Sequence, residues 1–92
     1  MLNRITIASL LVGAVCSLPL PALALDKVGY CRDYATTAVA SARENVRLKC
    51  GQTGMRYDFN WQQHFGWCMS VAREAAARER DIRRNQMRAC RR

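Results

Sequence analysis

The sequence predicts an all-α fold, a disulfide-stapled antiparallel helical hairpin, and three observations carry that prediction. Small and apolar residues recur at threes and fours along two separate stretches, the period of a helix with one buried face. A polar segment containing two glycines, "GQTGMRYDFN", lies between them and reads as a loop. Four cysteines bracket the two stretches, in a chain too short to hold itself together by burial alone.

The chain opens with "MLNRITIASLLVGAVCSLPLPALA", which reads as a secretory signal. Arg4 supplies a positive start, Ile5 to Leu18 is an apolar run, and Ala22-Leu23-Ala24 offers the small residues a signal peptidase requires. Ile5 to Leu25 is just long enough to act as an uncleaved anchor. Pro19 and Pro21 argue against that, because proline breaks a helix interior. A lipoprotein signal ending at Cys16 is the other rival, and Val15 is bulkier than such sites prefer. The expected organisation is therefore a signal at 1–24 and one domain at 25–92. Cleavage removes Arg4, leaving fourteen basic residues against seven acidic ones in 68 residues, a net charge of +7. The expected setting is periplasmic or secreted. That setting is oxidising, and the four remaining cysteines, an even number, read as two disulfides.

The first helix carries a stripe of Cys31, Ala35, Ala38, Ala42, Val46 and Cys50, and Gly51 follows where a left-handed residue closes a helix. The second starts near Asn60, with Gln63 placed for a capping box. Its stripe runs through Trp61, Phe65, Cys68, Ala72, Ala75, Glu79 and Ile82 to Cys90. Cys31 and Cys50 stand about 28 Å apart along a helix, and Cys68 and Cys90 about 33 Å. A disulfide requires α-carbons within roughly 7 Å, so no helix bridges to itself. With two straight antiparallel rods, only the nested pairing fits: Cys31 with Cys90 and Cys50 with Cys68. Ala35, Ala38 and Ala42 are then expected to face Ala72 and Ala75, letting the axes approach closely. Glu79 interrupts the stripe and is expected to form a partly buried ion pair that fixes the register, with Arg43 or Ser41 in reach.

Little in the sequence supports chemistry. His64 and Cys68 in "HFGWC" share a helix face, but a nucleophile needs a free thiol and the pairing consumes Cys68. A small enzyme built on those two residues is the least favoured reading. No second histidine or closely spaced cysteine pair completes a metal site, and neither a CxxC redox motif nor a haem signature is present. No cofactor and no metal are expected. His64 is expected to pack beside Trp67 against the loop.

Two surface features remain as binding candidates. Tyr57, Phe59, Trp61, Phe65 and Trp67 crowd the turn. Tyr57 and Trp67 are the candidate aromatic contacts, unless Met55, Tyr57 and Phe59 fold over Trp67 as a small core. Eight arginines lie between Arg73 and Arg92. Arg73, Arg80, Arg84, Arg88 and Arg91 form a stripe opposite the cysteine face and are the candidate anion-binding residues. The plain alternative is a solvated face that keeps a small exported protein soluble. Export argues against nucleic acid as the partner. An apolar face pinned inside the hairpin argues against membrane insertion once the signal is removed.

The stretches "YCRDYATTAV", "CGQTG" and "HFGWC", with a late cysteine after "REAAARERDIR", resemble a group of small exported bacterial four-cysteine modules. They share the spacing C…YA…CG…HxxWC…C. The resemblance covers Tyr30 to Cys90 and departs at "MRYDFNW". It implies a helical fold in a bacterial envelope and brings no activity with it. The expected function is a monomeric, non-catalytic binding or accessory module, contacting an anionic envelope polymer or a glycan through the arginine stripe and the aromatic turn. The alternative is an interaction module that docks into an envelope protein through that turn.

Overall fold

A computed structural model describes residues 19–92, with side chains from residue 25 onward. The expected signal lies outside those residues for positions 1–18, and its cleavage point after Ala24 falls within the first helix. Three helices make up the described chain: α1 (Pro19–Arg47), α2 (Trp61–Ser70) and α3 (Arg73–Arg91), with a single 3-10 turn at Met55–Tyr57. There are no strands among the described residues. The expected all-α, disulfide-stapled fold is the one observed. Its hairpin is α1 with α2, and α3 turns back along α1.

The contacts define the directions. Trp61 Nε1 donates to Thr36 Oγ1, Cys68 is bonded to Cys31, and Lys27 Nζ donates to the Val71 carbonyl at 2.6 Å. Numbers rise on α2 as they fall on α1, so the two run antiparallel. Arg73 pairs with Asp26 and Arg80 with Asp33, a constant separation of 47 residues. Numbers rise together there, so α3 runs parallel to α1.

This geometry overturns the expected disulfide pairing. The bridges are Cys31–Cys68, with α-carbons 5.5 Å apart, and Cys50–Cys90, at 5.7 Å. The nested pattern assumed one unbroken rod from residue 60 to residue 90. Val71 and Ala72 are instead in extended conformation, and the chain reverses between α2 and α3. Cys68 and Cys90 therefore belong to different helices that run in opposite directions; Cys68 meets α1 at Cys31 and Cys90 meets Cys50 just beyond the end of α1. Ser70 marks the break, since its hydroxyl donates to the Trp67 carbonyl at 2.8 Å and competes with helix continuation. Lys27 satisfies the carbonyl of Val71 that the break frees.

The break also resets the phase of the third helix. The buried face of α3 carries Ala76, Arg83 and Met87, one position later than the stripe read through Ala75 and Ile82. Ala72 is exposed and Ala75 only half-buried, so neither makes the expected alanine seam. On α1 the expected stripe holds for Cys31, Ala35, Ala38 and Ala42, all fully buried, and Tyr34, Val39 and Asn45 join it. Val46 does not, being 61% exposed. The core centres on Cys31, Tyr34, Cys68 and Ala76, with Tyr30, Phe65 and Val71 packed against it.

Two helix ends explain how the loop is held. At the end of α1, Cys50 N–H donates to the Asn45 carbonyl and Lys49 N–H to the Val46 carbonyl, the paired bonds of a Schellman cap. The left-handed residue of that cap is Lys49, at φ 55°, rather than Gly51. Gly51, at φ 77°, turns the chain again just beyond it. The Asn45 side chain then grips the loop like a second strand of backbone, donating to the Gln52 carbonyl and accepting from Gln52 N–H. At the start of α2, Asn60 caps with its side chain accepting from Gln63 N–H, but the expected box does not close, because Asn60 N–H donates to Asp58 Oδ1 rather than to Gln63.

Candidate functional site

Thirteen residues of loop separate Arg47 from Trp61, and they cross back over the α1–α3 seam before α2 begins. The 3-10 turn drops Tyr57 onto α3, where its hydroxyl donates to Gln86 Oε1 at 2.8 Å. Arg56, beside it, forms a two-pronged ion pair with Glu79 of α3, the second contact being Nη2 to Oε1 at 3.3 Å. Glu79 is therefore the ion-paired residue the sequence predicts, but its partner comes from the loop rather than from α1. Arg43 is out of reach because α3 runs parallel to α1, not antiparallel. The pair holds Arg56 more firmly protonated than usual, chiefly through the hydrogen bond that Arg56 donates to Glu79.

His64 is 5% exposed and bonds through Nε2 to the Asp58 carbonyl at 2.8 Å, fastening α2 to the loop. Its ring meets Tyr34 edge-on, with centroids 6.5 Å apart. Cys68 is 1% exposed and its sulfur is bonded to Cys31. The four-residue spacing of His64 and Cys68 thus serves packing, with no thiol left to ionise. Among the described residues no group of three or more His, Cys, Asp or Glu side chains is placed to hold a metal ion.

Between the loop, α2 and α3 a cleft of about 620 Å³ opens. Tyr34, Met55 and Trp67 give it apolar surface, and Arg56, Glu79 and Arg83 give it charge. Trp67 is 39% exposed and lies tilted against Tyr34, ring centroids 5.8 Å apart. Met55 and Phe59 remain exposed and do not fold over it, so the expected small core at the turn does not form. Tyr57 is buried instead, and of the two candidate aromatic contacts only Trp67 offers surface.

Arg83 is the unusual residue of the cleft. It is 2% exposed, and its Nη1 and Nη2 are buried with no hydrogen-bond partner among the described residues. Its guanidinium carbon sits 5.0 Å from the Tyr34 ring centroid, a cation–π contact that compensates part of the desolvation. Burial pushes the Tyr34 hydroxyl above its ordinary pKa, and the nearby Arg83 draws it partly back without reaching hydrogen-bonding geometry. Tyr57 is likewise raised by burial, and Arg83 and Arg56 oppose that shift. A buried guanidinium with two unanswered donors carries a desolvation cost that its neighbours do not fully return. Arg83 is absent from the expected buried stripe because that stripe runs through Ala75, Glu79 and Ile82. Its signal was present in the spacing of Ala76, Arg83 and Met87 once the helix is started at Arg73.

The five arginines expected to form one anion-binding stripe divide into two sets. Arg73 and Arg80 lean onto α1, where they pair with Asp26 and Asp33 and lie 4.2 and 5.3 Å from the Tyr30 ring centroid. These two are ties between α3 and α1. Arg84, Arg88 and Arg91 are exposed on the outer side; Arg84 pairs with Asp81 and Arg88 donates to Asn85. The row is real on the helix, but its first half is occupied with holding the fold.

No family model, no curated protein and no solved structure matches this chain.

Proposed function

We propose that this protein is an exported, non-catalytic binding module of the cell envelope that seats an anionic ligand in the cleft above Arg83. The observation that carries this reading is the Arg83 guanidinium itself, buried, cationic and short of acceptors, beside the half-exposed face of Trp67. A buried polar group without partners calls for an explanation, and a ligand that supplies the missing acceptors is the one the open cleft favours. Two disulfides accord with an oxidising compartment outside the cytoplasm, periplasmic or secreted. No helix of the described residues is long and apolar enough to cross a membrane. The absence of catalysis rests on Cys68, whose sulfur is committed, and on the single carboxylate of the cleft, Glu79, which is held by Arg56. In this reading Arg84, Arg88 and Arg91 serve to draw anionic polymers or glycans toward the molecule, an effect that weakens with salt.

NMR titration at low ionic strength tests the proposal, using acetate, galacturonate and lipopolysaccharide as probes. Anions that perturb Tyr34, Trp67 and the Arg83 side chain support it. Perturbation confined to Arg84, Arg88 and Arg91, or none at all, overturns the cleft as the site.

A second reading has an observation of its own. Met55, 67% exposed, lines the cleft with Trp67, and Phe59 on the same loop is 55% exposed, which gives the turn apolar surface suited to a protein partner. Capture of an envelope protein that is lost in Trp67→Ala and retained in Arg84→Ala and Arg88→Ala favours that reading.

A further inference from the structure

We infer that the ligand of this cleft is a monocarboxylate carried on an apolar body, an inference that rests on the cleft being a binding site and narrows its chemistry. Three observations converge on this class. The first is charge. Arg56 and Glu79 neutralise each other through their paired contacts, which leaves Arg83 as one uncompensated positive charge in the cleft. One carboxylate balances it. A phosphate monoester or a sulfated polymer brings more negative charge than the floor can answer and places it close to Glu79, at a desolvation cost nothing here offsets.

The second is shape. Arg83 has both Nη1 and Nη2 without acceptors, and two donors on one guanidinium match the two oxygens of a planar carboxylate as a fork. The third is the wall chemistry. Tyr34, Met55 and Trp67 give the ligand hydrocarbon and aromatic surface, while Gly66 leaves open space where another residue would project a side chain. The volume of about 620 Å³ lies in the ordinary range for small-molecule sites. Gln62, Gln63 and Ser70 also line the cleft, yet a bare sugar acid leaves the apolar faces of Tyr34, Met55 and Trp67 without hydrocarbon to cover them. Both Arg83 nitrogens are covered by neighbouring side chains, and a ligand must displace part of the rim to reach them. Met55, which lines the cleft, is unbranched and 67% exposed and so shifts at little cost.

The experiment compares decanoate, decanol, decyl phosphate and galacturonate by NMR on the disulfide-intact protein, following the Arg83 Nε–H and the Trp67 indole. Decanoate is expected to bind at least tenfold more tightly than the other three and to shift both signals. Arg83→Lys, which keeps the charge and loses the fork, is expected to weaken decanoate about tenfold. Arg83→Met is expected to abolish the preference for decanoate over decanol while raising the melting temperature by several degrees, because it removes a buried unpaired charge. Tighter binding of decyl phosphate or galacturonate at Arg83 overturns the monocarboxylate and leaves the anion site standing. No response of Arg83 to any anion removes both. Decanoate binding unchanged in Arg83→Met, or a lower melting temperature in that variant, makes Arg83 a structural partner of Tyr34 and overturns the inference.

Discussion

The two disulfides close nearly equal loops, spanning 37 and 40 residues, yet they sit in opposite surroundings. Cys31–Cys68 is buried at 0% and 1% exposure and forms part of the core with Tyr34 and Ala76. Cys50–Cys90 is half-buried, at the far end of the molecule, with Ala89, Arg91 and Gly51 exposed beside it. Equal loops restrict the unfolded chain about equally, by roughly 4 kcal/mol each on the chain-entropy account. Any difference in what the bridges contribute must therefore come from packing. The comparison separates a bridge that is core from a bridge that is only a clamp.

The largest expected effect tests that separation directly. Replacing Cys31 and Cys68 by alanine is expected to destabilise more than replacing Cys50 and Cys90, by about 2 kcal/mol, through the lost contacts of two buried sulfurs. Urea unfolding of the two double variants measures it, and equal losses would show that both bridges act through the unfolded chain alone. On mild reduction, Cys50–Cys90 is expected to open first, as the bridge with the easier access. Alkylation followed by peptide mapping reads the order.

Next in size is the clamp that supports the distal bridge. Asn45→Ala removes both bonds to Gln52 and leaves that loop backbone without its partners, at an expected cost of about 2 kcal/mol. Hydrogen exchange should quicken from Leu48 to Gly54 and stay unchanged around Cys31. Exchange that quickens everywhere would mean the two ends unfold as one.

Smaller still is Tyr57→Phe, which removes the bond to Gln86 and is expected to cost about 1 kcal/mol near neutral pH. The pH dependence follows from the direction of the tyrosine shifts. Burial raises Tyr34 and Tyr57 above the ordinary 10.0, so the folded chain keeps protons that the unfolded chain releases. Stability is therefore intact below about pH 10 and falls as pH rises above it. Tyr57→Phe should flatten that decline, and an unchanged alkaline slope would assign it to Tyr34. The smallest change has the opposite sign. Lys49→Gly relieves a left-handed residue in the α1 cap and is expected to stabilise by about 0.5–1 kcal/mol in the same urea assay.

Much of this molecule was legible residue by residue. The helical period of α1, the Asn60 cap, the burial of Cys31 and Cys68 and the use of all four thiols follow from local rules that act over three or four residues. Spacing also showed that no helix could bridge to itself. It could not choose between the remaining pairings, because that choice depends on whether residues 60–90 are one rod or two. Ser70, Val71 and Ala72 carry neither glycine nor proline, and the break is stabilised by Lys27, forty-four residues away. A contact so distant in sequence leaves no periodic trace.

The candidate site shows the same division. Composition and spacing determined that the chain is basic, helical and stapled, since those properties are sums or short-range repeats. Which arginine is buried, and with what, depended on the phase of α3, and that phase is set by the reversal before Arg73. One residue of rotation put Arg83 under Tyr34 and turned Arg73 and Arg80 onto Asp26 and Asp33. Helix phase is fixed by where a helix begins, and here the beginning was decided by packing against α1 rather than by any residue within α3.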